Sequence, residues 1–89
     1  MNTNTYFPDY AIHPGEILKE TLAARNITKN ELAERCGISV KTVSQILNKK
    51  APVTTETAIQ LERVLGVSAD IWNNLDANYR LFENSKKNQ

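Results

Sequence analysis

One cysteine stands in this chain of 89 residues, and a single cysteine closes no internal disulfide. No apolar run approaches the roughly 18 residues that cross a bilayer. The opening residues, MNTNTYFPDY, lack the basic start and apolar stretch of a secretory signal. These three absences make the cytosol the expected compartment and exclude a membrane partner. Paired carboxylates, a nucleophile with its base, a phosphate loop and a cluster with metal-ligand spacing are also missing, so no catalytic residue, metal or cofactor is expected. His13 stands alone and reads as a capping or packing residue; Cys36 has no positionable base and reads as a small buried apolar group. Strand-like alternation, internal repeats and long linkers are absent too. What remains is one small all-helical domain with a modest core.

The missing acid is more informative. Net charge is +1, which favours no particular partner. Residues 14–38 balance Glu16, Glu20, Glu31 and Glu34 against Lys19, Arg25, Lys29 and Arg35. Residues 54–83 carry five acids against Arg63 and Arg80. Between them, residues 39–53 hold Lys41, Lys49 and Lys50 and no Asp or Glu. Three lysines alone are ordinary solvated surface, so the weight of this segment depends on the element that carries it.

Five short helices are predicted. The first is HPGEILKETLAAR, with His13 as N-cap, Pro14 at the first helical position and Ile17, Leu18 and Leu22 on one face. The second starts at Thr28, which has capping-box spacing to Glu31; Leu32, Ala33 and Cys36 face inward and Gly37 ends it. Ser39 caps the third, which buries Val43, Ile46 and Leu47 and stops near Asn48. The fourth runs from about Thr54 to Leu65, with Ala58 and Leu61 inward and Gly66 as its stop. Ser68 caps the fifth, along which Ile71, Trp72, Leu75, Tyr79 and Phe82 recur at helical spacing. Trp72 is expected between helices four and five.

Only Gly37 and Ile38 join helices two and three, so the two must cross steeply, as in a helix-turn-helix. In that motif the start of the second helix of the pair enters the DNA major groove. A carboxylate there would meet phosphate, which accounts for the acid-free segment. Val40, Lys41, Ser44 and Gln45 lie opposite Val43 and Ile46, and are the expected base readers: Gln pairs with adenine, Lys donates to guanine and Val40 meets a thymine methyl. Thr28 and Lys29, at a helix start, and Asn48, Lys49 and Lys50, after helix three, are the expected phosphate contacts.

Residues 13–82 resemble the phage-repressor-like (XRE) helix-turn-helix proteins, and within them the HigA/VapI antitoxins. The marks are HPGEIL at 13–18, ELAERCGIS at 31–39, TVSQILNKK at 42–50 and TAIQLERVLGVSADIWNNLDANYRL at 57–81. The resemblance implies a five-helix lambda-repressor-like domain and a homodimer that binds a palindromic operator ahead of its own operon. It also implies a small toxin partner, a messenger-RNA-cleaving enzyme that the antitoxin neutralises. Many such relatives have glycine where this chain has Lys49, so the path of that turn is a point of departure. Two alternatives stay open: an XRE-type regulator without a toxin, and the DNA-binding N-terminal part of a longer regulator with a peptidase-like domain. The expected organisation is an arm at 1–12, the domain at 13–83 and a frayed polar tail at 84–89. Leu75, Tyr79 and Phe82 are the expected dimer contacts, since so small a domain does not bury that whole stripe. Tyr6, Phe7 and Tyr10 form an aromatic patch that folds back or meets a toxin.

Overall fold

In the computed structural model, which describes residues 11–87, the chain forms α1 (Pro14–Arg25), α2 (Lys29–Cys36), α3 (Val40–Leu47), α4 (Thr55–Leu65) and α5 (Ala69–Lys87), with no strand among the described residues. The aromatic patch at 6–10 lies outside them.

Each start is fixed by a side chain a few positions away. The Gly15 N–H donates to His13 Nδ1 at 2.9 Å. Thr28, Ser39 and Thr54 accept from the N–H groups of Glu31, Thr42 and Thr57, and Ser68 from that of Asp70. Each bond satisfies a first-turn donor that the helix itself leaves open. The capping box at Thr28 is only half formed, because the Glu31 carboxylate turns to Arg35 at 2.6 Å.

Three helices end in one way. A residue in the left-handed conformation follows the last turn, its N–H donates to a carbonyl three residues back, and the next N–H donates five residues back. After α1 that residue is Asn26, after α2 it is Gly37, and after α3 it is Lys49 at φ 63°. The turn thus keeps its left-handed path with lysine in it.

α4 packs on α5 and α2, and α3 lies against α1 and α2. Leu18, Leu22, Leu32, Ala33, Cys36, Val43, Ile46, Val53, Ala58, Leu61, Leu65 and Trp72 form one buried core. Trp72 has no exposed surface, and its indole N–H finds no hydrogen-bond partner among the described residues. Burial also pushes the Cys36 thiol up from its ordinary pKa, in keeping with a packing role.

α5 departs from expectation. It continues through residues 84–87, where a frayed tail was read from polar composition. No glycine or proline interrupts residues 69–87, and the Lys86 ammonium sits 5.3 Å from the Phe82 ring centroid, one turn back.

Candidate nucleic-acid interface

α3 is the element to which the acid-free segment belongs, and its two faces differ sharply. Val43 and Ile46 are buried. Val40, Lys41 and Gln45 are exposed on the other side, with Ser44 half-buried beside them. Val40 leaves 41% of its surface to solvent. The four expected base readers thus share one outward face, and no acid stands in the first turn. The expected phosphate contacts Thr28, Lys29, Asn48, Lys49 and Lys50 are all exposed. They flank that face at the start of α2 and the end of α3.

Packing adds a lysine that sequence reasoning missed. Lys19 of α1, Lys29 of α2 and Asn48 after α3 rim a cleft of about 330 Å³ floored by Leu22, Ile27 and Leu47. No carboxylate lines it. Lys19 lies between Glu16 and Glu20 in sequence and looks neutralised there; only the packing of the first three helices brings it to the other two.

Packing also pairs a lysine with a carboxylate. Lys49 Nζ lies 2.7 Å from Glu16 Oε2, and both side chains are about half exposed. The hydrogen bond to Lys49 holds the Glu16 carboxyl below its usual range, and the same bond raises the Lys49 ammonium. Lys41 and Lys50 have no ion-pair partner among the described residues.

This pair is one part of a contact that the whole His13–Glu16 stretch makes with the end of α3. Gly15 has no side chain because a Cβ there would overlap the Ile46 carbonyl oxygen. That carbonyl accepts the Lys49 N–H at 3.1 Å. Pro14 is fully buried. The His13 ring caps α1 and meets Tyr79 edge-on at 4.8 Å. Burial dominates its environment and pulls its pKa below 6.5, against the opposing pull of Asp76.

Asp76 is the second residue that the sequence did not disclose. It is buried, accepts the Val53 N–H at 3.0 Å and receives Arg80 Nε at 2.9 Å. It thereby fastens the segment between α3 and α4 to α5. A carboxylate four residues after Trp72, on the inward face of a helix, was its available signal.

The expected dimer residues have partners within their own chain. Leu75 is half-buried against the core. Tyr79 lies on His13 and Phe82 lies 6.5 Å from Tyr79, centroid to centroid. The most exposed apolar side chains of α5 are Ile71 and Leu81.

The helix-turn-helix family profile matches residues 18–72, well over half of the chain. The chain belongs to the helix-turn-helix family. This helix-turn-helix protein is of the XRE type, with HigA-family antitoxins among its structural neighbours. It is 38% identical over 73 residues to the uncharacterized HTH-type transcriptional regulator YddM of Escherichia coli, which spans 82% of this chain and 78% of that protein. Among solved structures it is similar to the Pseudomonas aeruginosa antitoxin HigA with the higBA promoter, at 36% identity and a TM-score of 0.83, covering 86% of this chain and 85% of that one. An addiction module antidote protein of the HigA family from Coxiella burnetii gives 34% identity and a TM-score of 0.80, covering 88% and 86%. A helix-turn-helix regulator that binds DNA agrees with the two-faced α3. No helix among the described residues is long and apolar enough to cross a membrane.

Proposed function

We propose that this protein is a sequence-specific repressor that binds a palindromic operator as a homodimer, regulates its own operon and serves as the antitoxin of a HigBA-like module in the cytoplasm. The observation that carries the DNA part is the outward face of α3: Val40, Lys41, Ser44 and Gln45 together, acid-free and capped for the major groove. Val40 meets a thymine methyl, Lys41 and Gln45 donate to purine edges, and Ser44 pairs with either. Thr28, Lys29, Asn48 and Lys50 hold phosphates, joined by Lys19 through the cleft it shares with Lys29 and Asn48. The similarity to HigA solved with a promoter supports the same reading.

Two copies present α3 to successive major grooves about 34 Å apart. They pair through the outer end of the α5 stripe, Leu75, Tyr79 and Phe82. Sedimentation showing a monomer at tens of micromolar removes this interface. The protein acts by binding and masking, not by catalysis. The antitoxin part rests on the HigA-like neighbours alone.

Fluorescence anisotropy on the DNA upstream of the gene, against a scrambled duplex across several salt concentrations, tests the DNA reading. Preference for the native duplex is the expected result; equal binding to both refutes it. Co-expression with the small adjacent reading frame tests the other part. A stable complex that relieves toxicity is expected, and a neighbour that is neither toxic nor bound leaves a regulator without a toxin.

A further inference from the structure

Lys49 is placed by sequence among the phosphate contacts, yet its ammonium is already held by Glu16 at 2.7 Å. Its backbone is equally committed. Lys49 occupies the left-handed position that closes α3, a conformation unfavourable for any residue with a Cβ. The turn is built on two bonds, Lys49 N–H to Ile46 at 3.1 Å and Lys50 N–H to Gln45 at 2.8 Å. Glu16 reaches it from the first turn of α1, next to Gly15, which presses on the Ile46 carbonyl.

We propose that Glu16 and Lys49 form a neutral latch at the DNA face: Glu16 is a positioning residue that holds Lys49 over the closing turn of α3, and Lys49 so held makes no phosphate contact. The argument rests on the DNA-binding reading above. A phosphate that recruited Lys49 would have to displace a carboxylate hydrogen-bonded to it, and the freed Glu16 would then stand unpaired beside the DNA backbone. That exchange returns little, because one anion replaces another and a second is left repelled. Lys50, one residue on, carries no such restraint. The latch therefore lowers the sequence-blind part of the affinity by one cation and leaves the base-reading face unchanged.

The experiment is the salt dependence of binding to the upstream duplex, where each released counterion contributes about 0.9 to the slope of log K against log salt. Four proteins are compared with the wild type: Lys50→Ala, Glu16→Gln, Lys49→Gly, and the double variant E16Q/K49G. Glycine is chosen because it takes the left-handed turn without strain, so the fold is kept when the pair is removed. Lys50→Ala should flatten the slope by about 0.9 and so calibrates the assay. Glu16→Gln should steepen it, since Lys49 is then free to reach phosphate. Lys49→Gly should weaken binding through the unpaired Glu16. The double variant should match the wild-type slope, one neutral pair having been exchanged for none. A double variant flattened by about 0.9 would mean that Lys49 grips phosphate in the wild type, and overturns the latch. So does a Glu16→Gln slope identical to wild type. A wild type without preference for its own upstream DNA instead refutes the specific repressor, and the latch with it.

Discussion

Replacing Gly15 with alanine adds one methyl group where α1 presses on the last turn of α3. The new Cβ would overlap the Ile46 carbonyl oxygen and lie 3.0 Å from the carbonyl carbon, well inside the roughly 3.5 Å of ordinary contact. The obstacle is backbone, and it cannot rotate aside as a side chain does. Ile46 O is also committed to the Lys49 N–H, so its movement disturbs the closing turn. Two terms compete. Alanine is the better helix former by up to about 1 kcal/mol, and less in a first turn. Overpacking costs about 1–3 kcal/mol and sometimes more. The steric term wins, for a net loss of about 2 kcal/mol. A domain of this size loses roughly 4–8 °C in Tm per kcal/mol, so a fall of about 8–16 °C is expected in thermal unfolding followed by circular dichroism. Operator affinity should drop at the same time, because the displaced turn carries Asn48 and Lys50. A Gly15→Ala protein as stable as wild type, or more so, would refute the reasoning: glycine would then be present for no reason of packing.

Gln45→Ala should weaken operator binding by about 1–3 kcal/mol and relax one operator position, as read by a panel of single-base variants; unchanged affinity and preference would put Gln45 off the bases. Lys19→Ala should weaken native and scrambled duplexes alike and flatten the salt slope by about 0.9, whereas a solvated lysine leaves it unchanged. Burial depresses the pKa of His13 in the folded state, so the unfolded chain binds a proton more readily. Its contribution to stability is therefore complete above the ordinary value of 6.5 and is lost as pH falls through the lower folded value. Urea unfolding at stepped pH should show this loss in wild type and not in His13→Asn, which keeps a capping acceptor without the titration. Asp76→Ala strands the buried Val53 N–H and should cost about 1–3 kcal/mol in the same assay, with an unchanged midpoint counting against the bond.

The sequence by itself determined the helices and the two faces of α3. Thr28, Ser39 and Thr54 cap helices through bonds spanning three residues, and Gly37 ends one through contacts as local. Such signals are legible because donor and acceptor are close in the chain. The face of α3 was legible for the same reason, since helical geometry alone sets Val40, Lys41, Ser44 and Gln45 against Val43 and Ile46. The end of α5 was misread because polar composition suggested fraying, while the lack of a helix breaker, equally visible, was the better guide.

Tertiary structure decided which charges remain free. Glu16 and Lys49 meet only because α1 docks on α3, and the same docking brings Lys19 beside Asn48. Val53 and Asp76 are 23 positions apart. Gly15 reads in sequence as a poor helix former and is explained only by the carbonyl it faces. Charge pairing and close approach depend on distances between segments remote in the chain. No local pattern encodes those distances, so the sequence names the lysines while the fold decides which of them is paired with a carboxylate.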